Sequence, residues 1–152
     1  MHQDIIKFPL SDKLKNDVML FSTSYCIDKE QGKYEFARQG FYRAKDKTYD
    51  FSVLFEFINL EIQTSGFVLS GIEDMCIIIT WPGQSYCTHQ DSMFVVHVPM
   101  ITSPLCQMII EDNLYYLEPG YFYITNTKKS HSAFNLSTHP RSHIMFAAEE
   151  NS

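Results

Sequence analysis

The second half of this chain is punctuated at short intervals, and that spacing constrains the fold most. From Met75 onward, apolar or alternating runs of four to six residues are each closed by turn residues. Met75–Thr80 reads as a buried strand, Pro82-Gly83 as a turn, Ser85–Asp91 as an extended segment and Phe94–Val98 as a further strand. Gln107–Ile110 and Leu114–Leu117 flank a turn at Glu111-Asp112-Asn113, which predicts a hairpin. Pro119-Gly120 is another turn, followed by strands at Tyr121–Thr125, His131–Asn135 and Arg141–Phe146. About eight short strands with frequent turn signals predict an antiparallel sandwich or barrel. The expectation is a mainly β jelly roll, with helices from the first half packed outside it.

The first half is mixed. Ser11 is placed to cap a helix over Asp12–Leu20, with Leu14, Val18 and Met19 as its apolar positions. Gly32–Lys45 reads as strands and turns around Tyr34, Phe36, Phe41 and Tyr42. Residues 50–62 fit both periods: Phe51, Leu54, Phe55, Ile58 and Ile62 at helical spacing, Phe51, Val53, Phe55 and Phe57 in alternation. Asp50 as a cap and Gly66 as a stop favour the helix. There is no repeat and no Gly/Ser linker, so residues 1–152 are expected to form a single domain with its motif-bearing core at 75–146.

Charge and cysteine content narrow the partners. A net charge of −6 with only three arginines (Arg38, Arg43 and Arg141) argues against nucleic acid as a partner. No apolar run approaches the ~20 residues of a membrane span. Met1-His2-Gln3-Asp4 lacks the basic and apolar regions of a secretory leader, so a cytoplasmic location is expected. Cys26, Cys76, Cys87 and Cys106 contain no CxxC pair and are expected to be reduced, buried thiols. Oligomeric state leaves no mark in the sequence.

The chemistry concentrates in Cys87-Thr88-His89-Gln90-Asp91. Residues i and i+2 of a strand share a face, roughly 6.6 Å apart, so His89 and Asp91 project together toward a shared metal. One more histidine makes two imidazoles and a carboxylate, the ligand set of non-haem iron(II) oxygenases, which leaves coordination positions open. The candidates for that third ligand are His97, His131, His139 and His143. His131 opens a strand after the polar turn Asn126–Ser130, a good position at a barrel mouth, whereas His139 sits in a loop before Pro140. Residues 136–140 are able to turn the chain back so that Asn135 pairs with Arg141. In that register Arg141 and His143 face the same way as His131, about 13 Å along the ladder. A planar guanidinium there suits a carboxylate, through paired charge-assisted hydrogen bonds. Tyr86, Tyr121 and Tyr123 are expected to be core aromatics, and Cys87 to pack.

These residues, taken together, resemble a known family. His89-Gln-Asp91, His97-Val-Pro99, Leu117-x-Pro-Gly120, His131-Ser-Ala-Phe-Asn135 and Arg141-Ser-His143 follow the order and spacing of the aspartyl/asparaginyl β-hydroxylases. Those are Fe(II)- and 2-oxoglutarate-dependent oxygenases with a double-stranded β-helix core. The complete His-x-Asp…His set is similar to the branch that includes proline hydroxylases. The resemblance implies that His89, Asp91 and His131 bind iron and that Arg141 holds the distal carboxylate of 2-oxoglutarate. It implies that His97, His143 and Asn135 belong to the cosubstrate site. The activity implied is O2-dependent hydroxylation of a small-molecule amino acid or a peptide residue, releasing succinate and CO2. Val95 stands where members usually carry arginine, two residues before His97, which leaves the substrate open. Two other readings remain at this stage: a cupin-type metal enzyme that does not use 2-oxoglutarate, and a non-catalytic β-barrel binding module.

Overall fold

The computed structural model describes residues 1–24, 40–42 and 50–151. Its strands are β1 (Ile5–Pro9), β2 (Gly40–Tyr42), β3 (Phe67–Leu69), β4 (Cys76–Thr80), β5 (Phe94–Ile101), β6 (Cys106–Ile110), β7 (Asn113–Tyr115), β8 (Tyr121–Thr125), β9 (His131–Asn135) and β10 (Arg141–Glu150). Two α-helices, α1 (Asp12–Ser24) and α2 (Ser52–Gln63), precede most of them. A larger antiparallel sheet runs β1-β8-β5-β10-β4-β2, with β3 also on β10. A smaller one runs β7-β6-β9. The sheets curl into the half-barrel of a double-stranded β-helix, as the punctuated pattern predicts. Of the segment expected at Gly32–Lys45, only Gly40–Tyr42 lies within the described residues, as β2.

The larger sheet owes its two faces to strict alternation. Val96, Val98, Phe122, Ile124, Ile144 and Phe146 point outward and are buried under the helices. Leu14, Val18 and Phe21 of α1 and Leu54, Ile58 and Ile62 of α2 complete that core. The intervening residues His97, Tyr123, Arg141 and His143 face inward and are buried too. One layer of apolar packing therefore supports the sheet from behind and leaves its inner face available for polar groups.

The helix signals are read correctly in kind and adjusted in extent. Ser11 Oγ accepts the Leu14 amide at 3.3 Å, capping α1, which runs on to Ser24 with Met19 exposed. Asp50 Oδ1 accepts the Ser52 amide at 2.9 Å, and Gly66, at φ +83°, ends the region after α2. The hairpin turn is tighter than expected: Asn113 already belongs to β7, and Glu111 adopts a left-handed φ of 52°.

One expected pairing is wrong. Asn135 does not pair with Arg141. Asn135 lies opposite Cys106 in the smaller sheet, and Arg141 lies opposite Thr80 in the larger one. Residues 136–140 carry the chain across from one sheet to the other instead of closing a hairpin. A short polar connection looks the same in both cases, and which sheet it feeds is decided by long-range pairing. Among the described residues no helix is long and apolar enough to cross a membrane.

Candidate active site

The segment from Gln84 to Asp91 is extended but irregular, and it runs beside β9. Tyr86 donates its amide to the Ala133 carbonyl at 2.9 Å, and His89 and His131 exchange both backbone hydrogen bonds at 2.9–3.0 Å. This direct opposition places two histidine rings 4.3 Å apart, centroid to centroid. Asp91, two residues after His89, turns to the same side. Its Oδ1 lies 3.5 Å from His89 Nε2 and its Oδ2 3.3 Å from His131 Nε2. The three residues thus offer ligand atoms within 4.8 Å of one another, a facial set of two nitrogens and one oxygen.

The tautomers follow from the partners. His89 Nδ1 is 2.8 Å from the Cys87 carbonyl and His131 Nδ1 is 2.9 Å from the Lys129 carbonyl. A carbonyl only accepts, so both rings carry their proton on Nδ1 and present Nε2 lone pairs beside Asp91. That is the arrangement that histidine ligands adopt when a backbone carbonyl orients them. Burial pulls the His131 pKa down, but the hydrogen bonds that the protonated ring donates to Asp91 and to the Lys129 carbonyl outweigh it and leave the value raised.

A cavity of about 200 Å³ opens at this triad and ends at Arg141. Arg141 is 2% exposed, and no carboxylate partner for it exists among the described residues. Its guanidinium instead meets Tyr86 Oη at 3.3 Å, Thr80 Oγ1 at 3.4 Å and His143 Nδ1 at 3.1 Å. A guanidinium cannot accept, so His143 Nδ1 is the acceptor. His97 Nδ1, 3.1 Å from the same atom, must then be a donor, which leaves His97 Nε2 unprotonated. Burial first, and then the Arg141 charge, hold both His97 and His143 well below the ordinary histidine pKa. A buried cation lacking a counter-ion is costly unless something anionic completes it.

The structure sorts the expected site residues. His89, Asp91, His131, His97 and Arg141 all line the cavity. His143 lies behind Arg141 and His97, 1% exposed, with its Nε2 lacking a partner among the described residues. The cavity wall does not include Asn135. Its amide donates to the Thr80 and His139 carbonyls, both at 2.8 Å, and its oxygen accepts the Ser137 amide and the Cys106 thiol. Val95 contributes an apolar wall. Tyr86, read from sequence as core, belongs to the cavity beside Arg141, and its place opposite Ala133 in an irregular strand explains why periodicity missed it. Cys87 is exposed, contrary to expectation, because the histidine-bearing segment has solvent on its outer side; Cys76 and Cys106 are buried.

The donor set fits iron(II): neutral imidazoles, one carboxylate, no thiolate and room for further ligands. Fold, triad and family together define an iron(II)- and 2-oxoglutarate-dependent hydroxylase. Residues 33–150 match the model of the aspartyl/asparaginyl β-hydroxylase family, and the chain belongs to that family. Curated proteins provide no match. Among solved structures, a prolyl-4-hydroxylase from Pseudomonas putida is similar, with a TM-score of 0.65 and 11% identity, covering 99% of this chain and 94% of its own. The viral collagen prolyl hydroxylase of Paramecium Bursaria Chlorella virus-1, solved as a 2OG complex, gives 0.64 and 10% over 97% and 96%. An oxidoreductase of the 2OG-Fe(II) oxygenase family from Burkholderia pseudomallei gives 0.63 and 8% over 96% and 84%. At these identities the likeness is one of fold.

Proposed function

We propose that the protein uses 2-oxoglutarate and O2 to hydroxylate an amino acid or an amino-acid residue, the cosubstrate spanning the cavity from the triad to Arg141. The observation that carries this reading is the buried Arg141 guanidinium, without a carboxylate partner among the described residues, in the wall of the cavity that opens at the triad. A dicarboxylate joins the two ends: one carboxylate for the guanidinium, the other for the metal. The cavity is smaller than the ~300–1,000 Å³ pockets of drug-sized ligands, which suits a five-carbon diacid. The substrate then approaches from the open side, where His89 and Asp91 are 46% and 36% exposed.

Iron, held by His89, Asp91 and His131, would supply the activation of O2 coupled to oxidative decarboxylation of the cosubstrate, giving succinate, CO2 and one hydroxyl on the substrate. The protein's own work is to bind, orient and exclude water. The Cys87 and Lys129 carbonyls fix the ligand rings so that Nε2, not Nδ1, is offered. Arg141 grips the distal carboxylate in a fork geometry. His143, accepting from Arg141 and from His97, holds that fork in place from behind. Tyr86 Oη accepts from Thr80 Oγ1 at 3.1 Å and from Arg141, so its own proton is left for the anion. Asn135 ties Thr80 and the 136–140 crossing together beneath this end. Ile78, Met108, Ala133 and Met145 form the apolar wall that keeps water from the reacting centre.

The test is succinate formation with Fe(II), 2-oxoglutarate and a panel of free amino acids and short peptides. Wild type is expected to release succinate in a substrate-dependent manner and Asp91→Ala to release none. Equal yields from the two proteins would refute the assignment.

A further inference from the structure

The loop of residues 126–130, between β8 and β9, supplies the acceptors that hold two of the three triad residues. The Lys129 carbonyl takes the His131 Nδ1 proton at 2.9 Å, and the Thr127 carbonyl takes the Asp91 amide at 2.8 Å. The Lys128 carbonyl accepts the side-chain amide of Gln90, which lies between His89 and Asp91, at 3.2 Å. A displacement of this loop moves the orientation of the ligand set directly.

What holds the loop comes from the other end of the chain. Asp4, next to β1, takes the Asn126 amide on its carbonyl at 2.8 Å and the Lys129 ammonium on Oδ1 at 2.7 Å. One residue thus grips the five-residue loop at its first and fourth positions. Its Oδ2 accepts the Tyr115 hydroxyl and, at 3.1 Å, the Asn113 side-chain amide, so the same carboxylate also anchors β7. Lys129 Nζ donates in addition to the His2 carbonyl at 3.0 Å, and the Lys129 amide closes the loop on the Asn126 carbonyl at 3.1 Å. The Asp4 side chain is only 11% exposed and that of Lys129 28%. Three side-chain donors converge on one carboxylate, and only an ionised acid accepts all of them. A network of this kind is worth more than an isolated surface pair. Burial acts to raise the Asp4 pKa, but those three donors outweigh it and hold the carboxyl below its usual range, while Tyr115 is pushed up to about 12. The family match begins at residue 33, so Asp4 lies outside the part of the chain that the family pattern describes.

We propose that Asp4 is a positioning residue for the metal centre, fixing the 126–130 loop so that the Lys129 and Thr127 carbonyls aim His131 and Asp91. The proposal rests on the reading of His89, Asp91 and His131 as metal ligands. Its distinct content is that residues outside the family pattern set metal affinity. Asp4 touches neither metal nor substrate and acts only through the loop.

The experiment measures Mn(II) affinity of the metal-free full chain by electron paramagnetic resonance of the unbound ion, without cosubstrate. Asp4→Ala is expected to weaken Mn(II) about 10- to 100-fold, the range seen when partners behind metal ligands are removed. Asp4→Asn, which keeps an acceptor for Lys129, is expected to recover part of the loss, and it decides the matter should the alanine variant not fold. Lys7→Met is the control. It removes the ion pair of Lys7 with Glu118 from the adjoining strand β1 without touching the loop, and Mn(II) affinity is expected to stay at the wild-type value. Wild-type affinity in both Asp4 variants would overturn the proposal, as would an equal loss in Lys7→Met, which would mark a general effect of loosening β1. No Mn(II) binding by wild type would overturn the metal-centre reading and this proposal with it.

Discussion

The two ends of the cavity are built in opposite ways. At the mouth, His89 is exposed and Asp91 half-buried; both sit on an irregular segment and are aimed by loop carbonyls and by one backbone exchange with β9. At the back, Arg141, His143 and His97 are 2%, 1% and 5% exposed and project from paired strands of the larger sheet. The mouth is fixed by hydrogen bonds that can be adjusted one at a time. The back is fixed by the sheet register and the helix-covered core behind it. The difference teaches which end carries strain in the absence of ligand. A buried guanidinium without a carboxylate among the described residues is an unfavourable element that the fold tolerates, and under the proposed function its use lies in meeting an anion already desolvated and oriented.

That contrast is open to attack at both ends. The largest effect belongs to the mouth: Asp91→Ala removes the only carboxylate of the facial set, and turnover measured as 2-oxoglutarate consumption is expected to vanish while the thermal midpoint of the metal-free protein barely moves. Arg141→Met comes next. Truncating one partner of a buried charge pair costs about 2–5 kcal/mol, at least about 30-fold in the Kd for 2-oxoglutarate. The same substitution is expected to leave the metal-free protein as stable as wild type or more so, because an apolar side chain replaces an uncompensated charge. A clear drop in its melting temperature would show that Arg141 is structural and erase the distinction between the two ends.

Tyr86→Phe sharpens the comparison more gently. It deletes one neutral hydroxyl beside Arg141, worth about 0.5–1.5 kcal/mol, and is expected to weaken 2-oxoglutarate by about 2- to 12-fold with Mn(II) affinity unchanged. The smallest effect is a pH slope. His97 and His143 are held neutral, with folded pKa values well below the unfolded 6.5, so the unfolded chain binds more protons. Their contribution to stability is complete above pH 6.5 and is lost as pH falls toward the folded values. His131, raised above 6.5, acts in the opposite sense, stabilising below 6.5 and losing that contribution as pH rises. Two depressed groups against one raised group predict a melting temperature for the metal-free protein that declines from pH 7 to pH 5. His97→Asn is expected to flatten that slope, and an unchanged slope would show that the pair at the back titrates normally.

Much of this contrast was legible in the sequence. His89 and Asp91 at a two-residue interval carry their own geometry, because a strand puts them on one face whatever surrounds it. Arg141 and His143, at the same two-residue interval, likewise share a face and meet at 3.1 Å. What stayed hidden depends on distant partners. Asn135 and Arg141 are separated by a five-residue connection that reads as a hairpin, yet they belong to different sheets. Strand β1, with Lys7 and a terminal Pro9 in five residues, has too little alternation to be recognised and is defined by its pairing with β8. The Asp4 cluster joins residues more than a hundred positions apart, and no local pattern signals it.

The central claim is that one small dianion bridges the mouth and the back. Anaerobic calorimetric titration of 2-oxoglutarate tests it most directly, into wild type with and without Mn(II) and into Arg141→Met with Mn(II). The account predicts tight binding only for the wild type with metal, weakened by removal of either end. Binding of equal strength in all three titrations would contradict it.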